Sequence, residues 1–325
     1  MPKPIATVIL PAKDAGAFIG TTLKTLTTQF DDLSSLKLVA IDDGSSDRTA
    51  AVMLRAAEQF AHAEVITNPQ PLGLATARNQ GLDRVEGDYV CFVDGDDWLQ
   101  PRRLQSLVAS LRDLSSDFVR TDHLTDTQGR RKLVRAPFAW RGRTVPAREA
   151  ILPADEPTMV DYPYAWAGMF HRRLVDAGLL RFNDGLHTAE DRPWIWRLHL
   201  GADSFAVVDA PALLYRRGVP SSLTQVLDRR QLDFVPAFAE TLRIVAADRE
   251  AERFAPKIAA TTFAVCAHHV IRARDMKGND RRLLRTGVLE LIASMPPDVR
   301  DAAYTRLSDK RRRVLAPMMR EVRRG

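Results

Sequence analysis

Asp94, Gly95, Asp96 and Asp97 directly follow the apolar run Tyr89, Val90, Cys91, Phe92, Val93, so three carboxylates collect where a buried strand runs out. Carboxylates this close repel one another unless a cation or a proton neutralises them. Oxygen ligands favour a hard cation, Mg²⁺ or Mn²⁺, over Zn²⁺. Capping of the following helix by Asp97 is the competing use, but one cap does not need three acids. A second acidic pair, Glu190 and Asp191, stands where a helix begins. There the plain structural reading is favourable charge at a helix N-terminus, worth roughly 0.3 to 1 kcal/mol.

The elements that must position these groups alternate strand and helix. Ala6 to Leu10 reads as an apolar strand, with a loop from Pro11 to Gly20 leading into a helix through Thr28. Leu36 to Ile41 is a second strand, followed by the turn Asp42, Asp43, Gly44, Ser45, Ser46, Asp47, in which Ser46 or Asp47 can cap a helix running to about Ala61. Glu64 to Thr67 is a third strand, Gly73 to Val85 a helix, and Tyr89 to Val93 the strand that delivers the carboxylates. The rhythm predicts a mostly parallel sheet wrapped by helices, whose ligands bind beyond the carboxyl ends of the strands. Pro101 and the spacing of Leu104, Leu107, Val108 and Leu111 predict a further amphipathic helix. Between about 118 and 160, short apolar runs alternate with charges and prolines, and no element is assigned. Later signals are Tyr164 to Phe170, a helix over Arg172 to Ala177, a helix over Glu190 to Leu200, and a strand at Val207 and Val208. The chain then turns helical, at Leu232 to Ala247, Ala255 to Arg274 and Arg281 to Ala293.

Composition bounds the class. At 325 residues and 45% hydrophobic content the chain can bury a large core. Two cysteines give neither a disulfide framework nor zinc spacing, and His187, His268 and His269 read as surface or satisfied core histidines. No apolar run reaches the roughly 18 residues that cross a bilayer, and no signal peptide is evident, so the expectation is a cytoplasmic protein. The net charge of +6 concentrates late, in Lys310, Arg311, Arg312, Arg313, Arg320, Arg323 and Arg324. That cluster reads either as a solvated basic tail or as a peripheral contact with anionic lipid at the inner face of the cell membrane. No specific nucleic-acid site is expected.

Taken in order, several pieces resemble family 2 glycosyltransferases, inverting enzymes of the GT-A fold. They are Val8, Ile9, Leu10, Pro11; Ile41 through Asp47; Gly73 through Ala77, Arg78, Asn79, with Gly81; Gly87, Asp88, Tyr89 leading to Asp94 through Asp97; Glu190, Asp191; and Tyr215, Arg216. The resemblance spans roughly residues 5 to 225. It implies a nucleotide-sugar-binding half over 1–117, an acceptor-binding half over 118–225, and a helical C-terminal region over 226–325.

The same resemblance implies roles. Asp43 matches the acid that accepts a hydrogen bond from a uracil ring, with turn formation as the alternative; Asp42 and Asp47 suit the turn better. Pro11, Ala12 and Asp14 match the loop beside base and ribose, although Lys13 stands where relatives place an aromatic. Arg78 matches a cation near the diphosphate, or else is an exposed arginine paired with Asp83. Asp94 and Asp96 match the DxD motif, with Asp94 towards ribose and metal and Asp96 as the main ligand of Mg²⁺ or Mn²⁺. Asp191 takes the place of the catalytic base, with Glu190 and Trp166 on the acceptor side. Gly218 stands where many relatives carry a metal-side histidine, which leaves Ser221, Ser222, Thr224, Arg216 or Arg217 to meet phosphate. The implied donor is a nucleotide sugar, most often a UDP-sugar. The implied acceptor is a cell-surface polysaccharide, glycolipid or teichoic-acid-like polymer. The rival readings are a degenerate GT-A protein that binds glycan or scaffolds a membrane assembly, and a phosphatase or nucleotidyltransferase. The second is disfavoured because Asp97 and Trp98 stand where a haloacid-type phosphatase needs Gly and Thr.

Overall fold

The computed structural model describes residues 3–218, 229–273, 276 and 278–324. Strand β1 (Ala6–Ala12) is buried at every position, the environment of a strand covered on both faces, and its sequence is apolar almost throughout. Helix α1 (Ile19–Leu26) leads to β2 (Leu36–Asp42), α2 (Thr49–Ala57) to β3 (His62–Thr67), and α3 (Leu74–Leu82) to β4 (Tyr89–Phe92). These four strands pair in parallel in the order β3-β2-β1-β4. The α/β alternation expected from the sequence is therefore observed, with α2 ending at Ala57 rather than near Ala61. Helix α3 lies so close to β1 that a Cβ on Gly81 would stand 2.3 Å from Ile9 Cγ2, which fixes the helix that carries Arg78.

The unassigned middle contains short elements. After β5 (Trp98–Leu99) and α4 (Arg103–Leu114) come β6 (Phe118–Arg120), β7 (His123–Thr127), β8 (Arg130–Val134), β9 (Val145–Pro146), β10 (Gly168–His171), α5 (Arg173–Asp176), α6 (Asp191–Gly201), β11 (Ser204–Val207) and β12 (Leu213–Arg216). The main sheet continues from β4 as β10-β6-β11-β9, and β10 runs antiparallel to both its neighbours. A smaller sheet has the order β5-β12-β7-β8. Trp194 and Trp196 are core: Trp194 stacks on Phe182 at 5.4 Å and meets Phe92 and Phe170 edge-on. Burying one such side chain contributes roughly 1.5–3 kcal/mol.

The C-terminal region is helical: α7 (Phe234–Ala246), α8 (Ala251–Arg272), α9 (Gly278–Ala293), α10 (Pro297–Thr305) and α11 (Asp309–Val322). On α7, Phe234, Ala237, Phe238, Thr241 and Val245 are buried, the spacing of one helical face, and the helix packs against α6 and α8. The basic end is a packed helix rather than a loose tail: Leu315, Met318 and Met319 of α11 are buried, while Lys310, Arg311, Arg313, Arg320, Arg323 and Arg324 are exposed. Among the described residues no helix is long and apolar enough to cross a membrane.

Candidate active site

A cavity of about 960 Å³ opens beyond the carboxyl ends of β1, β2 and β4 and reaches the C-terminal helices. Pro11, Ala12, Asp14, Asp43, Arg78, Asp94, Asp96, Trp166, Glu190 and Asp191, the ten positions singled out from the sequence, all line it. They come from loops far apart in the chain, so their meeting is a property of the fold. Ser221, Ser222 and Thr224 lie outside the described residues.

The loop after β1 is strapped to the turn after β2. Asp14, at φ +48°, accepts from Ser46 N at 2.8 Å, while Asp47 accepts from Gly16 N and Thr49 N at 2.8 and 2.9 Å. Asp47 thus does the turn and helix-start work expected of it. Asp42 does not: its Oδ1 is buried without a partner. Asp43 Oδ1 accepts from Asn68 Nδ2 and Leu72 N, and Oδ2 accepts from Gly73 N. Asp43 therefore orders the 68–73 loop, which is the turn reading. With two lone pairs per oxygen, Oδ2 keeps one acceptor position beside the cavity.

Arg78 departs from the exposed alternative. Its side chain is 4% exposed, its Nη1 donates to Glu190 Oε1 at 2.9 Å, and its Nη2 donates to Asp94 Oδ1 at 3.1 Å. Asp83 pairs instead with Arg181. Burial works to lower the Arg78 pKa, but Asp94 and Glu190 outweigh it and hold the guanidinium above its ordinary value. One buried cation thus ties the first acid of the strand-end cluster to the acidic pair of α6.

The acids differ in environment. Burial, reinforced by repulsion from Asp94, pushes Asp96 up to about 6. Asp97 is fully buried, and burial, Asp96 and Asp94 drive it well above the usual carboxylate range. It does not cap a helix: its Oδ1 accepts from Arg216 N at 2.9 Å, and α4 begins only at Arg103. Glu190 is pushed up to about 7 by burial and by Asp191, against the pull of Arg78. Asp191 is raised by burial, against Arg192 and Arg78. Ala189, at φ +60°, makes the turn into this pair; the left-handed conformation costs a non-glycine residue about 1–2 kcal/mol.

No cluster of three or more His, Cys, Asp or Glu that could hold a metal occurs among the described residues. Asp94 and Asp96 nevertheless fit Mg²⁺ or Mn²⁺, because these cations are commonly held by one or two carboxylates plus substrate phosphates, and the elevated Asp96 marks uncompensated negative charge. Gly218, at φ +80°, offers no ligand and lies away from the cavity lining. Arg216 anchors the acidic loop: its Nε donates to Asp96 O at 3.0 Å, and its guanidinium lies over Trp98 and Phe18.

Trp166 is buried, stacks on Tyr164 at 4.8 Å and lies 5.2 Å from Tyr215, and all three rings line one wall. Arg120 Nη2 donates to the carbonyls of Tyr162 and Tyr164, bracing that wall from behind. Sequence reasoning missed Phe234, Phe238, His268, His269 and Arg272, which also line the cavity. The repeat of His268 and Arg272 at i and i+4 on α8 was their only sequence signal.

A mostly parallel sheet whose strand-end acids and a distant acidic pair share one cavity has its ligand site beyond the carboxyl ends of its strands. Residues 7–174, just over half of the chain, match the family described as Glycosyl transferase family 2, and the chain belongs to that family and carries a glycosyltransferase domain. Over 231 residues it is 27% identical to EpsJ of Bacillus subtilis, an uncharacterized glycosyltransferase, covering 71% of this chain and 66% of the relative. Over 214 residues it is 24% identical to TarS of Staphylococcus aureus, a poly(ribitol-phosphate) beta-N-acetylglucosaminyltransferase, covering 64% of this chain and 35% of TarS. The match thus spans about two thirds of one relative and a third of the other. The crystal structure of TarS residues 1–349 with UDP-GlcNAc superposes with a TM-score of 0.75 at 18% identity, covering 98% of this chain and 92% of that one. The GT-A fold is thereby established. A mannosyltransferase from Pyrobaculum calidifontis, in complex with GDP-Man and Mn²⁺, matches with a TM-score of 0.55 at 18% identity, covering 99% of this chain and 88% of that one.

Proposed function

We propose that this chain is a metal-dependent, inverting glycosyltransferase that moves a sugar from a nucleotide sugar, by preference a UDP-sugar, to a cell-surface glycan, glycolipid or teichoic-acid-like acceptor. The observation that carries this reading is the buried Arg78, which holds Asp94 of the strand-end cluster and Glu190 of the acidic pair on one cavity. TarS, crystallised with UDP-GlcNAc, supports the donor class.

In this reading the free acceptor position on Asp43 Oδ2 takes a base N–H, and the Pro11 to Asp14 loop borders the nucleoside. Asp94 and Asp96 would hold Mg²⁺ or Mn²⁺, which when bound offsets charge on the diphosphate. Asp191 accepts the proton of the acceptor hydroxyl. The hydroxyl oxygen forms its bond to the anomeric carbon as the bond to the diphosphate breaks, with the electron pair leaving on the diphosphate. A carboxylate raised by burial is a better base near neutral pH than an ordinary aspartate. Trp166 and Tyr164 supply an apolar wall for acceptor C–H faces. The exposed arginines of α11 are proposed to meet anionic lipid at the inner face of the membrane.

The test is thermal stability with UDP, GDP, CDP and dTDP, each with and without Mn²⁺. A nucleotide at about one hundred times its dissociation constant should add roughly 2.7 kcal/mol. A shift with one nucleotide, dependent on Mn²⁺, is expected and identifies the base. No shift with any of them would overturn the donor site in favour of a protein that binds glycan without transfer.

A further inference from the structure

At about 960 Å³ the cavity lies at the upper end of the roughly 300–1,000 Å³ typical of a small-molecule site. Its carboxylates lie on one side. Asp14, Asp43, Asp94, Asp96, Glu190 and Asp191 all belong to the GT-A part. Among the described residues, those that α7, α8 and the turn before α7 contribute to the lining include no acid. They do include Arg272, which is half-buried and makes no side-chain hydrogen bond or ion pair among the described residues. Asp233, the nearest acid in sequence to the α7 wall, is engaged by backbone: its Oδ2 accepts from His187 N and Thr188 N.

Arg192 also lines the cavity. It follows the proposed base directly, and among the described residues its ion pair is a long one of 3.7 Å to Asp191. The charges of Arg192 and Arg272 both reach His269, and those of Arg272 and Arg311 both reach His268. His269 is itself fixed in place, stacked on Phe234 at 4.0 Å. A guanidinium on the cavity wall, without an anionic partner among the described residues, gains from an anion that enters.

We infer that Arg272 binds a phosphate group of the acceptor, so that the substrate glycosylated here is phosphate-bearing rather than a neutral glycan. This deepens the glycosyltransferase reading and rests on it. The phosphate belongs either to a polyol-phosphate chain or to a lipid diphosphate, and both present the same dianionic or monoanionic oxygens to the guanidinium.

The experiment is calorimetric titration of the full-length chain with four probes: UDP with Mn²⁺, a glycerol-phosphate oligomer, farnesyl diphosphate in neutral detergent micelles, and a neutral oligosaccharide. One of the two phosphate probes should bind at least tenfold more tightly than the oligosaccharide, and which one does so identifies the source. Arg272→Gln should weaken that probe about 10- to 100-fold, Arg272→Lys should recover part of the loss, and UDP affinity should stay within twofold in both. Equal affinity for neutral and phosphate-bearing probes overturns the inference, as does an unchanged phosphate probe in Arg272→Gln. A fall in UDP affinity equal to that of the phosphate probe also overturns it, by assigning Arg272 to the donor. Absence of UDP binding in the wild type, with phosphate-probe binding retained and sensitive to Arg272, would instead defeat the donor reading and leave the anion site standing.

Discussion

Arg78→Met offers the sharpest test of the site's construction. Arg78 is 4% exposed and bonded to Glu190, 10% exposed, and to Asp94, 24% exposed. Methionine keeps the length and can still pack on Phe182, which the guanidinium now overlies at 5.0 Å. What it removes is the charge. Breaking a buried ion pair by deleting one partner typically costs about 3–5 kcal/mol, because the remaining charge is left in a poor solvent. Glu190 sits near the full penalty and Asp94 well below it, so the loss at pH 8 should fall in that range. The pH dependence gives the mechanism away. Glu190 already lies above its ordinary value, at about 7, so the folded state holds a proton that the unfolded chain has released, and stability declines as pH rises from about 4.5 through 7. Without Arg78 the cation that draws the Glu190 pKa down is gone, and that pKa moves further up. The variant should therefore lose more stability than wild type at pH 8 and much less at pH 5.5, where the carboxyl is protonated in both. Urea unfolding at the two pH values measures this, with Arg181→Met, which breaks only the surface pair to Asp83, as a control expected to change little. A loss under 1 kcal/mol, or the same loss at both pH values, would refute the reasoning.

The remaining predictions concern the chemistry. Asp191→Asn should bind the nucleotide as wild type does but lose about two to four orders of magnitude in transfer rate, and wild-type turnover would remove Asp191 from the role of base. Because burial raises Asp191, wild-type activity should climb with pH through that elevated pKa and then level off, and the residual activity of Asp191→Asn should lack that limb. Asp96→Ala should abolish the Mn²⁺-dependent part of nucleotide binding in the thermal shift assay; an unchanged response to Mn²⁺ would place the metal elsewhere.

How far the sequence foretold this structure depends on the range of the interactions involved. The strands β1, β2 and β4 and the acidic turns that follow them were legible because an apolar run and its turn are local facts. Arg78 was not, because its partners lie 112 and 16 residues away and nothing in an amphipathic helix says which arginine is buried. The stretch from 118 to 160 resisted assignment because its strands are two to five residues long, too short for a period, and exist by pairing with distant segments such as β11 and β12. His268 and His269 read as bland residues because the wall they join, between α8 and the GT-A part, is created only by packing. Asp97 was open to a capping role because Pro101 signals a helix close behind it, whereas α4 begins only at Arg103.

The last of these points to how the two sheets cooperate. Asp97 accepts from Arg216 N, 119 residues away, and Arg216 Nε returns a bond to the carbonyl of Asp96. Antiparallel pairing of β5 with β12, Leu99 with Leu213 and Trp98 with Leu214, sets these groups opposite each other, and the guanidinium is sandwiched near Trp98 at 4.5 Å and Phe18 at 4.7 Å. The strand-end loop is thus clamped from the smaller sheet through Asp97 and the Asp96 backbone, while the Asp96 carboxylate itself is left to the cavity. Arg216 spends its Nε on this clamp, which keeps its Nη donors beside the loop that positions Asp96. The Tyr215, Arg216 pair therefore divides its work: Arg216 fixes the acidic loop, and Tyr215, one residue earlier, turns its ring towards Trp166 on the cavity wall. That division explains why a motif following a strand in the second half of the chain belongs with carboxylates in the first.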